Sequence, residues 1–129
     1  TNALEAIGMS LLLEERQSRT EMDITSVDFG ETETVLTAEG NMGEYGRVYT
    51  SYHLSYNNQG TGGTYTGQGR GYPDKSSMVS GKAVGIWRRD GDLLQMEEVV
   101  SISDGTQNLS KITVNPREKK LTMDVFILL

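Results

Sequence analysis

Cysteine is absent, histidine occurs once, and the 129-residue chain holds only two prolines, two phenylalanines and one tryptophan. Without cysteine there is no disulfide framework and no thiol nucleophile. With His53 as the sole imidazole, a zinc site built from the usual His/Cys set is excluded as well. The acidic run "DGDLLQMEE" (90–98) lacks calcium-loop spacing, because position 6 counted from Asp90 is Gln95 and not the glycine that the sharp turn needs. Neither a metal nor a cofactor is therefore expected. No apolar run approaches the roughly 20 residues of a membrane helix. The longest are 11–13 and 125–129. Lys and Arg number 12 against 18 Asp and Glu, for a net charge of -6, so the basic face of a nucleic-acid binder is missing. The lack of cysteine fits a reducing compartment and favours the cytoplasm, although Thr1 at the start, where an initiator Met would stand, reads as trimming and leaves localisation open.

Glycine, by contrast, is abundant: 15 residues, concentrated in "NNQGTGG" (57–63) and "TYTGQGRGY" (64–72). The second stretch has glycine at every other position. It is not a phosphate loop, since the only Gly-Lys pair, Gly81-Lys82, is followed by Ala83 and preceded by Ser76 where the first glycine of that motif belongs. It is not a dinucleotide fingerprint either, because starts at Gly67 or Gly69 put Tyr72 or Asp74 at the last glycine position. What remains is a strand with one bare face. Side chains alternate across a strand, so Gly67, Gly69 and Gly71 share a face with Tyr65, while Thr66, Gln68, Arg70 and Tyr72 point the other way. A bare face allows sharp bending or close approach to the backbone.

The rest of the chain from Thr20 is a series of short alternating segments: 20–28, 32–39, 45–56, 64–72, 81–89, 92–103, 108–114 and 121–129. Asp90-Gly91 and Asp104-Gly105 are two-residue hairpin signals, and "NPREKK" (115–120) is a longer polar turn. No helical crossover separates the segments, so the sheet is expected to be antiparallel. Residues 2–16 read in two ways: as one helix, with Asn2 and Glu5 at capping-box spacing and Leu4, Ile7 and Leu11 on one face but Gly8 inside it, or, as the strand-like remainder favours, as a short helix near 2–7 and then a strand from Met9 to about Arg16. The expected whole is a single all-β domain over 1–129, an antiparallel calycin-like barrel of about eight strands with a short N-terminal helix. "GTGGTYTGQGRG" (60–71), "SGKAVGIW" (80–87) and the closing hairpins resemble bacterial barrel domains related to allene oxide cyclase and the dirigent proteins. That resemblance implies a small eight-stranded barrel with an apolar lumen; it carries no catalytic residue over to this chain.

Candidate site residues follow from breaks in the alternation. In 92–103 the even positions Leu94, Met96, Glu98, Val100 and Ile102 form an apolar face with one carboxylate in it. A carboxylate there either pairs with a cation, Arg70 or Arg88, or has a raised pKa. Tyr65, Trp87 and Met96 are candidate pocket-lining side chains. His53 sits on a polar, aromatic face with Tyr45, Arg47, Tyr49, Ser51 and Ser55, where it could act as a base. Three functions are open at this point: a soluble binder of a small, mostly apolar molecule in the barrel interior; a cyclase or isomerase using Glu98 and His53; or a ligand-free structural module, with "DVFILL" (124–129), apolar on both faces, in a homo-oligomer interface.

Overall fold

The computed structural model describes residues 12–129. Eight strands follow one another, β1 (Thr20–Phe29), β2 (Glu33–Asn41), β3 (Arg47–Ser55), β4 (Gly62–Asp74), β5 (Ser77–Asp90), β6 (Leu93–Ile102), β7 (Gln107–Asn115) and β8 (Lys120–Ile127). Each pairs antiparallel with its neighbour in sequence, and β1 pairs with β8 to close the barrel. Closure removes the edges that an open sheet of this length would present. The seam is short, Thr20↔Met123 to Asp23↔Lys120, and the Lys120 ammonium meets the Asp23 carboxylate on its outer face. The expected all-β antiparallel barrel is thus the observed one. Among the described residues no helix is long and apolar enough to cross a membrane.

The turns fall near the Asp-Gly pairs but not as two-residue Asp-Gly loops: Asp90 still pairs with Leu93, which leaves Gly91 and Asp92 as the first loop, and β6 and β7 are joined by the four residues 103–106. Gly91 and Gly105 supply φ of +64° and +95°, which a β-carbon would oppose. The β7–β8 turn is held by Asn115, whose side-chain oxygen accepts from the Glu118 N–H at 3.2 Å. In β1 a bulge between Ile24 and Ser26 inserts one residue against β2. It switches the inward phase from Met22 and Ile24 to Val27 and Phe29, so both ends of the strand contribute to the lumen.

Three sequence expectations are corrected. The segment expected over 64–72 starts earlier: Gly62 and Gly63 pair with Arg88 and Trp87 and belong to β4. Tyr45 does not share the wet face of His53. It closes a single 3₁₀ turn (Gly43–Tyr45), is buried, and shares a hydrogen bond with Thr106 at 2.8 Å. Neither Arg70 nor Arg88 pairs with Glu98. Both lie on the outside of the wall, where Arg88 donates to Glu97 at 2.8 Å and Arg70 to the Gly69 carbonyl at 2.9 Å. The expected helix near 2–7 and the first part of the expected strand from Met9 lie outside the described residues. Of the remainder, Glu15 bridges Phe126, and the Arg16 N–H donates to the Val125 carbonyl at 2.9 Å.

The core is the lumen. Met22, Leu36, Leu54, Met96, Ile112, Leu121 and Val125 are all at most 1% exposed. An eight-stranded barrel has an interior just wide enough to be filled by side chains or to hold one small ligand. Which of the two applies depends on the size of the inward residues, and these are distributed unevenly.

Candidate functional site

The bare face of β4 points inward. Gly67 pairs with Ala83, Gly69 with Gly81 and Gly71 with Val79, so two adjacent strands offer almost no side chain to one side of the lumen. Tyr52, Thr50 and Val48 pair with the same three glycines from β3. Some of the vacated space is taken by neighbours: a β-carbon on Gly67 would stand 3.0 Å from the Tyr52 ring and one on Gly81 2.9 Å from Ile102. The rest is a chamber of about 60 Å³, bordered by Gly69, Ala83, Val100 and Ile102. This answers what the alternating glycines are for: they make room inside a barrel that leucines would have filled.

Glu98 lies at the inner end of this chamber. A cross-strand row runs Leu54, Tyr65, Gly85, Glu98, Ser110, Val125. Gly85 is the key to its geometry. A β-carbon there would lie 2.8 Å from the Tyr65 ring, so the ring occupies the place that a side chain on Gly85 would need. From that position the Tyr65 hydroxyl donates to Glu98 Oε1 at 3.0 Å. Tyr52 packs edge-to-face on Tyr65, with ring centroids 5.9 Å apart. Glu98 itself is 5% exposed. Burial drives its pKa up from 4.5 to about 7, against the hydrogen bond from Tyr65, which favours the charged form. The phenols of Tyr65 and Tyr52 are raised in turn, by burial first and then by the Glu98 charge.

Ser110, on the other flank of Glu98, is fully buried, and its hydroxyl has no hydrogen-bond partner among the described residues. Its neighbour on the chamber wall, Asn108, is satisfied: its amide donates to the Tyr45 hydroxyl at 2.9 Å and its carbonyl accepts from Arg16 at 2.6 Å. The chamber thus has an apolar wall and, at one end, a carboxylate with spare acceptor capacity beside an unpaired hydroxyl. A buried polar group without a partner costs about 1–3 kcal/mol. Replacing Ser110 by Ala is accordingly expected to raise the stability of the ligand-free protein by about 1 kcal/mol in a urea titration. A loss of stability would mean that the hydroxyl is already satisfied.

Of the residues singled out from sequence, Glu98 and Tyr65 come together. Arg70 does not join them: its side chain is on the outer face of β4. Met96 is wholly buried and fills the barrel beyond Glu98. Trp87 belongs to the opposite end of the lumen, where its indole N–H donates to the Ser55 carbonyl at 2.9 Å. His53 is on the outer face of β3, 3.3 Å from Glu33, with about two fifths of each side chain exposed. It shares no pocket with Glu98, so the two cannot act on one molecule. Tyr52, Gly85, Asn108 and Ser110 were not anticipated. For Asn108 and Ser110 the signal was present: they precede Ile112 and Val114 in the inward phase of β7, the same polar interruption of an apolar face that marked Glu98. Among the described residues no three His, Asp or Glu side chains converge as metal ligands would. Compared with protein-family models, with curated proteins and with solved structures, the chain matches none.

Proposed function

We propose that this barrel binds a small, mostly apolar molecule in its lumen, held at one polar group by Glu98 and Ser110. The observation that carries this reading is the unpaired, fully buried Ser110 hydroxyl beside an incompletely satisfied buried carboxylate, at the end of an otherwise apolar chamber. A hydroxyl on the ligand suits both, donating to Glu98 and accepting from Ser110. A cavity of roughly 150 Å³ is needed for benzene; the 60 Å³ here takes a polar head and the first few carbons. The remainder of a longer ligand would extend toward the barrel end where Tyr45 and Ile102 sit. The calycin-like assignment and the kinship with barrels related to allene oxide cyclase and the dirigent proteins belong to this proposal, supported by the eight-strand meander and the glycine face.

Gly69 gives the test. A β-carbon there would meet only ordinary contacts, 3.4 Å from Thr50 and 3.5 Å from the Tyr49 carbonyl, and it would point at the chamber. Gly69→Leu is expected to fold and to abolish binding of short alcohols measured by calorimetry. Native mass spectrometry of the unaltered protein is expected to show a bound lipophile that the variant lacks. Alcohol binding that survives Gly69→Leu would end the proposal. A second reading, an isomerase, rests on Glu98 holding its proton to near pH 7, where acid–base exchange is most effective. It would have to run on Glu98 and Tyr65 without His53, and its rate would inflect near pH 7.

A further inference from the structure

The other end of the barrel is open and differently built. A bowl of about 410 Å³ has a floor of Leu36, Leu54 and Trp87, with Tyr56 and Phe29 on its walls and Arg89 at its rim. Met96 and Ile112, 0% and 1% exposed, fill the lumen between bowl and chamber. Phe29 is 77% exposed although it stands in the inward phase set by the β1 bulge. Tyr56 packs edge-to-face on Trp87, with centroids 6.3 Å apart, and the Tyr56 hydroxyl bonds Thr34 at 2.5 Å. The Tyr56 and Trp87 rings are therefore held in place before anything binds, while Phe29 stands free at the wall. Arg89 is two residues beyond Trp87 on β5, in the same inward phase. Its neighbour Arg88 pairs with Glu97 outside, but among the described residues the Arg89 guanidinium has no acid partner. Asp92, on the same rim, is drawn to Arg117 at 3.5 Å.

We infer that this bowl is a second, independent binding site, for a flat aromatic carboxylate whose ring lies against Phe29 and Trp87 and whose anion is held by Arg89. The volume falls within the range of small-molecule sites. Three aromatic side chains give ring contacts, and a guanidinium is matched in shape and charge to a carboxylate. The anion is the feature that distinguishes this ligand from that of the chamber, whose polar end offers a buried carboxyl and a hydroxyl but no cation to hold it.

The sole tryptophan makes the site easy to observe, because its indole N–H gives one NMR signal. The full chain is titrated with 2-naphthoate and, separately, with 2-naphthalenemethanol, which keeps the ring and removes the charge. The Trp87 indole signal is expected to shift with both, with naphthoate binding about tenfold more tightly, as one charge-assisted hydrogen bond at a solvent-exposed rim provides. Arg89→Gln is expected to bring naphthoate to the affinity of the alcohol and to leave the alcohol unchanged. Gly69→Leu, which fills the chamber, is expected to alter neither. The inference is overturned if the indole signal does not move, if naphthoate binds no better than the alcohol, or if Arg89→Gln has no effect. It is equally overturned if Gly69→Leu weakens naphthoate, since the anion would then be in the chamber.

Discussion

Glu98→Gln is expected to stabilise the protein at pH 8 by about 3 kcal/mol and to leave it nearly unchanged at pH 4. Below pH 4.5 the carboxyl carries its proton in both the folded and the unfolded chain, so burial costs nothing extra. As pH rises, the unfolded chain ionises from 4.5 while the folded one keeps its proton to about 7. The unfolded state then binds fewer protons, and stability falls with pH until the folded group ionises too. A folded pKa of about 7 in place of 4.5, at about 1.4 kcal/mol for each tenfold change in proton affinity, sets the size of the effect at about 3 kcal/mol. Glutamine has no proton to lose, still accepts from Tyr65, and so escapes the penalty. For a domain of this size the difference in melting temperature at pH 8 is roughly 10 °C. Asp23, Asp74, Asp104 and Asp124 have lowered pKa values from hydrogen bonds at the surface. They give the opposite slope in acid, but equally in both proteins, and drop out of the comparison. Melting curves recorded from pH 4 to pH 8 that stay parallel for the two proteins would show that Glu98 is not buried as a proton-holding carboxyl.

The strand order was legible because the signals for it are local. A period of two in 92–103 and 121–129, with Asp-Gly between segments, needs no tertiary information, and β6 and β8 have the inward faces that their alternation implies. The direction of the glycine face was not legible, since glycine carries no side chain to show a preference for water or core. Register across strands was the larger gap. That Gly85 stands opposite Glu98 on one side and Tyr65 on the other follows from pairings between three strands, which no single segment encodes. The error at Tyr45 has a similar origin. One 3₁₀ turn before β3 resets the phase, so counting back in steps of two from His53 put the ring outside. The hairpin at 73–80 was not anticipated as strand because Pro73 interrupts it. It sits in the irregular stretch between Gly71 and Asp74, where no ladder hydrogen bond from its nitrogen is required. Pairing Glu98 with Arg70 or Arg88 likewise ignored phase, since both arginines alternate with inward residues of their own strands.

Gly85→Ala is expected to be strongly destabilising, in contrast to Gly69→Ala. At Gly69 an added methyl meets nothing closer than 3.4 Å, and removing glycine's freedom in the unfolded chain is worth about 0.4–1 kcal/mol of added stability. At Gly85 the same methyl would stand 2.2 Å from the Glu97 carbonyl oxygen and 2.8 Å from two atoms of the Tyr65 ring. The first contact is with backbone on the paired strand β6, so no rotamer change relieves it; the strands must part. The second displaces Tyr65 from the bare backbone it covers, and with it the hydroxyl that Glu98 accepts. Overpacking of this kind costs about 1–3 kcal/mol, and the loss of a hydrogen bond to a buried carboxylate adds about 1.5–3 kcal/mol where the group is ionised. The total expected at pH 8 is about 3–5 kcal/mol. At pH 5, with Glu98 protonated, the second part shrinks to that of a neutral hydrogen bond, so the variant should recover stability on acidification by more than the parent does. Tyr65→Phe isolates that second part: it should show the same recovery on acidification from a smaller starting loss. If Gly85→Ala proves as benign as Gly69→Ala, or if its cost is independent of pH while Tyr65→Phe is silent, then Tyr65 is not placed by Gly85 and does not hold Glu98.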